Sequence, residues 1–505
     1  MSFNSMEFLL FFPIVLLIYY IVPKKAAYIW LLGCSYYFYM CWNAQYALLM
    51  LFSTVVTYAG GIIIELVPEK RHKKCAAALC FGLNLAVLFV FKYTGLAANL
   101  LHEALGLVHI QLRMPEFDLL LPVGISFYTF QALGYTMDVY RQETYAEKNF
   151  LRYALFVSFF PQLIQGPISR FGDLAQSLFA EHGFDGERFS YGLERILWGY
   201  FKKLVIADRI LTGVNAIIRD TGTYRGAYVF VGMLFYALEL YADFTGGIDI
   251  TIGIAQSLGI GVKENFRRPY FSKSVKEYWR RWHITMGTWF TDYIFYPISV
   301  CKPMLKFSRF ARAHFGECIG KRAPVYLSSF AVWLATGIWH GASWNFVVWG
   351  LGNWVILMVS QELEPLYARF HGRFRVQGSW WFKLFQVVRT VLLMSCLRTF
   401  DCYRDVPLTF RMFGTLFTEG NWHILWDGSL LGLGLSVVDY GVLLAGLALL
   451  VTVSLLQRSG SVRDRIAAKP YPVRFLVWYG LFLAVLLAGA YGIGYDASQF
   501  IYNQF

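Results

Sequence analysis

Residues 45–66 read Gln-Tyr-Ala-Leu-Leu-Met-Leu-Phe-Ser-Thr-Val-Val-Thr-Tyr-Ala-Gly-Gly-Ile-Ile-Ile-Glu-Leu, with a single charge at Glu65. A helix of about 20 apolar residues crosses the hydrocarbon core of a bilayer, so this stretch predicts a membrane span. Comparable runs recur at 6–22, 28–42, 75–92, 119–139, 149–165, 227–242, 324–340, 343–361, 384–400, 440–457 and 475–495. Together they predict an all-α polytopic membrane protein with roughly 10–12 spans. Composition points the same way: 57% of the 505 residues are hydrophobic, 19% aromatic and only 15% charged, too little polar surface to cover a soluble globule. The run 6–22 has no basic flank before it and no small-residue cleavage site after it, so it predicts a retained span and not a signal peptide.

The net charge of +13 does not indicate nucleic acid as a partner, because the cations sit in short loops between apolar runs. The positive-inside rule places such loops in the cytoplasm. Lys302, Lys306, Arg309, Arg312, Lys321 and Arg322 oppose only Glu317 in 302–322, and Arg458, Arg463, Arg465, Lys469 and Arg474 oppose only Asp464 in 458–474. Between them, 401–439 carries five acids against Arg404 and Arg411 and belongs on the other side. An odd number of crossings after Arg474 then places the C-terminal end of the sequence outside. The eight cysteines form no Cys-x-x-Cys pair and have no histidine at zinc spacing. We expect no metal and no tightly bound cofactor. No Walker loop and no Gly-x-Gly-x-x-Gly after a strand is present, so nucleotide-driven chemistry has no seat. No half of the chain duplicates the other, which counts against a repeat-built transporter.

Ionisable groups at mid-membrane ask for a partner, a water-filled cavity or a function, and three regions stand out. In 236–254, Glu239 and Asp243 lie four apart on one helical face, followed by Gly246-Gly247 as a possible break and Asp249; this is either a buried structural network or a ligand-facing pair. In Glu277-Tyr-Trp-Arg-Arg-Trp-His283-Ile-Thr-Met-Gly-Thr-Trp-Phe-Thr-Asp292, a helix would put Trp279, Trp282, His283, Met286 and Phe290 on one side. The segment is too charged to span and too aromatic to float free, which predicts an interfacial or re-entrant element covered by protein. Arg280 and Arg281, with Arg267 and Arg268, either receive the phosphates of a soluble donor or anchor to lipid headgroups. In Thr336-Gly-Ile-Trp339-His340-Gly341-Ala-Ser-Trp344-Asn345, a histidine closes a long apolar helix, with Trp333, Gly337, His340 and Trp344 on one face. A lone membrane histidine is commonly a packing residue, but His283 and His340 both follow tryptophan in similar surroundings.

The segments Arg280-Arg281-Trp282-His283 and Gly337-Ile-Trp339-His340-Gly341-Ala-Ser-Trp344-Asn345 resemble the two histidine signatures of the membrane-bound O-acyltransferase family, with its bacterial alginate O-acetylation branch as the nearest match. Leu121-Pro-Val-Gly-Ile-Ser-Phe-Tyr-Thr-Phe-Gln131, Phe160-Pro-Gln-Leu-Ile-Gln-Gly-Pro167, Tyr241-Ala-Asp-Phe-Thr-Gly246 and Asn265-Phe-Arg-Arg-Pro-Tyr270 support it. These motifs cover most of 1–360; beyond about 365 the likeness is chiefly hydropathic until Phe500-Ile-Tyr502-Asn-Gln-Phe505. Thr291, Gly247-Ile248 and Pro297-Ile-Ser depart from the branch pattern, which leaves donor and acceptor identity open. The resemblance implies one membrane-embedded domain over 1–505, with a signature core at 119–360 and C-terminal helices and tail at 380–505. It implies a ring of tilted helices around a central tunnel, in which a cytoplasmic thioester and an outer acceptor reach the same histidine.

A thioester is already activated, so the protein must add a base for the hydroxyl proton and correct placement. Neutral imidazole suits that base. We expect His340 as base, His283 lining the donor entrance, and Asn345 either at the developing oxyanion or in a helix–helix hydrogen bond. Trp339, Trp282, Asp243, Arg280 and Arg281 complete the expected substrate-binding set. The resemblance further implies acetyl-CoA as donor, a polysaccharide as final acceptor, an extracytoplasmic SGNH-hydrolase-like partner, contact with membrane lipid, and residence in a bacterial cell membrane. The Phe500–Phe505 ending resembles one in which a tyrosine accepts the acyl group, making Tyr502 a third candidate catalytic residue; otherwise it is an aromatic anchor. The alternatives are D-alanyl transfer to teichoic acid from a carrier protein and, outside enzymes, a polysaccharide or lipid-linked sugar exporter.

Overall fold

The computed structural model describes residues 1–107 and 121–491, and the described chain is helical with no strand. Helix forms at every one of the predicted apolar runs. Among the described residues, six helices are long and apolar enough to cross a membrane alone: Tyr46–Leu66, Lys70–His102, Ala227–Ser257, Trp380–Tyr403, Val437–Ser459 and Tyr471–Ala488. A seventh arises if Trp344–Glu362 and Glu364–Phe374, bent by 52°, form one broken span. Apolar runs thus outnumber continuous spans, and the reasons are local. Met6–Ile21 is short at 16 residues. The run 149–165 divides into Phe150–Ser158 and Phe160–Leu163, because Phe159 leaves helical geometry and Pro161 starts a new turn.

Lipid is the solvent these surfaces require. Tyr471–Ala488 has no buried residue although it is apolar all round, an arrangement that water would not tolerate and a bilayer does. Leu10, Leu17, Ile21, Leu48 and Leu66 are likewise exposed by half or more.

The described residues group into two compact units that interleave along the chain: Met1–Gly199 with Gly247–Lys263, and Tyr200–Gly246 with the residues from Glu264 on. The first is held by aromatic packing and buried polar links. Tyr135 and Tyr153 meet at 4.5 Å between ring centroids, the Tyr153 hydroxyl donates to Thr57 Oγ1 at 2.7 Å, and Gln131 donates to the Phe156 carbonyl at 2.5 Å. The helix Ala227–Ser257 runs through Gly246-Gly247, where the sequence offered a break. Gly247 serves packing instead: a Cβ there would lie 1.5 Å from Gln165 Nε2.

The second unit carries both histidines. Its helix Lys302–His340 changes direction at Gly316 (φ 84°) and ends where Gly341 extends; Trp344–Glu362 then returns along it. The two helices touch backbone to backbone, since a Cβ on Gly350 would meet the Trp333 carbonyl at 2.5 Å and one on Gly337 the Phe346 carbonyl at 2.6 Å. Small residues permit such close helix crossings in membranes. Trp344 starts the second helix and is exposed, so it does not share a face with His340 as continued helical periodicity predicts.

Candidate active site

The segment 277–292 is not one helix. Val275–Trp279 and Ile284–Phe290 are separate short helices, and Arg280–His283 between them is irregular. His283 sits in the left-handed region at φ 46°, ψ 54°. Such backbone costs about 1–3 kcal/mol and persists where neighbours over-determine it. The neighbours are in the preceding loop: Arg267 N–H donates to the Arg281 carbonyl at 2.9 Å and Ile284 N–H to the Asn265 carbonyl at 3.0 Å. Thr285 gives both its N–H and its hydroxyl to Asn265 Oδ1, each at 3.0 Å.

Asn265 therefore sets the state of His283. With its oxygen committed to Thr285, its amide nitrogen faces His283 Nδ1 at 3.3 Å, so Nδ1 accepts and the ring proton is on Nε2. Burial, reinforced by the Arg398 guanidinium, pushes the His283 pKa down to about 3. The result is a neutral imidazole held as a donor through Nε2. Phe244 packs edge-on against the ring at 5.0 Å.

His340 lies in the last turn of its helix, at the negative end of the helix dipole, where a developing imidazolium is favoured. Its ring meets Trp349 edge-to-face at 4.7 Å and Phe346 at 6.3 Å. Trp339 joins the two histidines, 5.9 Å from His283 and 4.9 Å from His340 between ring centroids. Asn345 is buried; its Oδ1 accepts from the Ser343 hydroxyl. Its Nδ2, and Trp349 Nε1 one turn later on the same helix, have no hydrogen-bond partner among the described residues. The Trp349 ring brings one of these two buried donors up against the candidate base.

The other expected residues fall into different settings. Trp282 is buried against Phe266 (5.0 Å) and Tyr278 (5.4 Å). Arg281 pairs with Glu277 at 2.5 Å, while Arg280 is exposed. Asp243 is taken up by Lys203 at 2.5 Å, which also holds Asp208 at 2.7 Å; Lys203 reaches inward from a widened π turn at Phe201–Ala207. Tyr502 lies outside the described residues. No group of three or more His, Cys, Asp or Glu among the described residues is placed to hold a metal ion.

Two residues escaped the sequence reading. Asn265 lies in the Asn265–Tyr270 motif, but its role follows only from the loop pairing with 281–285. Arg398 lay inside the apolar run 384–400, where an ionisable side chain is itself a signal. It is buried on Trp380–Tyr403, with Cζ at 4.7 Å from the Trp349 ring centroid, 5.3 Å from Trp282 and 5.9 Å from Trp279. Asp401 stands 3.8 Å away. Removing a guanidinium from water costs several kcal/mol; each desolvated cation–π contact returns about 2 kcal/mol, so aromatic faces and one carboxylate together make the burial tolerable.

Residues 146–399 match the family model of the membrane-bound O-acyltransferases (MBOAT), a match that extends past the recognised motifs and takes in Arg398. The chain is 31% identical to the probable alginate O-acetylase AlgI of Pseudomonas putida, over 84% of this chain and 82% of that protein. It is 29% identical to the peptidoglycan O-acetyltransferase of Helicobacter pylori, over 73% of this chain and 72% of that one. Likeness to the teichoic acid D-alanyltransferase of Bacillus subtilis is 25%, over 52% of this chain and 65% of the other. With apolar spans, paired buried histidines and these relatives, the chain belongs to the membrane-bound O-acyltransferase family and is a multi-pass membrane acyltransferase.

Proposed function

We propose that this chain moves an acetyl group from a cytoplasmic thioester, acetyl-CoA, across the membrane for O-acetylation of an extracellular or cell-wall polysaccharide. The observation that carries the reading is the buried histidine pair joined by Trp339, one imidazole fixed as a neutral donor by Asn265 and the other at a helix end against Trp349, whose indole N–H is a buried donor. The names of the relatives in Pseudomonas putida and Helicobacter pylori, an alginate O-acetylase and a peptidoglycan O-acetyltransferase, support acetyl and polysaccharide.

In this reading His340 removes the proton from the acceptor hydroxyl as its oxygen attacks the thioester carbonyl. The carbonyl π electrons move to oxygen, and N–H donors such as Asn345 Nδ2 stabilise that charge. The carbon–sulfur bond then breaks, and the leaving thiolate takes the proton back from the His340 imidazolium. Atoms and charge balance without a metal or redox step. His283 lines the donor side, and Arg280 and Arg281 meet the donor's phosphates. The first acceptor is the Tyr502 hydroxyl, from which an extracytoplasmic SGNH-hydrolase-like partner passes the acetyl group to the polymer.

The test uses inside-out membrane vesicles carrying the full chain, supplied with acetyl-labelled acetyl-CoA. Alkali-labile label on polysaccharide, absent with His340→Ala, is expected. Label that enters only when D-alanine is offered on a carrier protein would replace this reading with D-alanyl transfer.

A further inference from the structure

We propose that Arg398 is a positioning residue of the acyl-transfer site, a buried cation that ties the His340 wall to the His283 segment. Three elements meet on its guanidinium. Trp349, at 4.7 Å from Cζ, is also the ring against which His340 stands at 4.7 Å. Trp282, at 5.3 Å, is the chain neighbour of His283, and Phe244 and Phe266 each pack against both Trp282 and His283. Trp279, at 5.9 Å, packs in turn on Trp349 and Trp333 and donates through Nε1 to Asn353 at 3.0 Å. Asp401, one turn along the same helix, fixes the guanidinium from its own side.

A flat, permanently charged group is suited to this place. Tryptophan offers the strongest cation–π face, and a guanidinium can lie on aromatic faces as an ammonium cannot. Trp349 backs His340 directly and Trp282 reaches His283 through Phe244 and Phe266, so the separation of the two imidazoles is set from Arg398 outward. The positive charge of Arg398 adds to burial in disfavouring a second positive charge on His283, which keeps that imidazole a neutral donor. Arg398 touches neither histidine's reacting nitrogen in this account; it acts through Trp349 and Trp282.

This inference rests on the acyl-transfer reading and is tested in the same vesicles with the full chain. Arg398→Met keeps the length of the stem and removes the charge; Arg398→Lys keeps the charge and removes the planar fork. Displacing a reacting group by about 1 Å costs on the order of 10²-fold in rate. Arg398→Met is therefore expected to lower kcat by about that factor with the KM for acetyl-CoA little changed, and Arg398→Lys to recover part of it. If Arg398→Met does not accumulate in the membrane, Asp401→Asn, which releases the guanidinium while preserving side-chain shape, carries the same expectation. Wild-type kcat in a folded Arg398→Met or Asp401→Asn variant, a change confined to KM, or a lysine variant no better than methionine would overturn the positioning role while leaving acyl transfer intact. Absence of turnover in the wild type would overturn the acyl-transfer reading and this inference with it.

Discussion

Replacing His340 with alanine separates chemistry from packing, and the structure puts a size on each. The ring is nearly fully buried and stands against Trp349 and Phe346. Each aromatic pair contributes about 0.5–1.5 kcal/mol, so truncation should cost about 1–3 kcal/mol of stability. That is more than a histidine at a frayed helix end would carry. Against a typical folding stability of about 5–15 kcal/mol, it still leaves the great majority of molecules folded. Loss of a general base removes about 10²–10⁴ in rate, or roughly 2.7–5.5 kcal/mol of barrier. The stability loss cannot imitate that deficit when activity is expressed per folded molecule. The assay is alkali-releasable acetyl on the polymer, normalised to monodisperse protein by fluorescence-detected size exclusion. A fall of about 10² or more is expected. Acetylation at wild-type level in a normally folded His340→Ala variant would refute the assignment of the base.

His283→Ala should be milder and appear mainly as a raised KM for the acetyl donor, read from initial rates against acetyl-CoA concentration. If it proves the more severe lesion with donor binding intact, the roles of the two histidines are exchanged. Tags inserted near Ala313 should be shielded from impermeant reagents added to intact cells, and tags near Gly420 accessible, as the loop charges require; both on one side would break the orientation. Tyr502→Phe keeps the aromatic ring and deletes the hydroxyl, so polymer acetylation should be lost in the same alkali-release assay. Wild-type acetylation in that variant would leave the tail as an anchor only.

Much of this protein was legible in its sequence because the bilayer imposes a simple rule. Backbone groups in hydrocarbon must be satisfied within helices, so twenty-residue apolar runs announce themselves, and helix formed at every run predicted. The two histidines were legible for a related reason: polar residues among tryptophans and small residues stand out against an apolar background. Continuity was not legible, because it depends on where the chain bends. A hydropathy pattern does not show that Phe159 leaves the helix, that the helix of Ala227–Ser257 runs on through Gly247, or that 280–283 unwinds into left-handed backbone at His283. Partnership was hidden as well. The pattern does not show that Lys203, forty residues away in the sequence, stands 2.5 Å from Asp243, and Arg398 read as part of a span until three tryptophans from two other segments closed around it. A buried charge is defined by what surrounds it, and those surroundings come from distant parts of the chain. The sequence determined which residues must leave water and which side chains could do chemistry. Only the tertiary structure decided which of them meet.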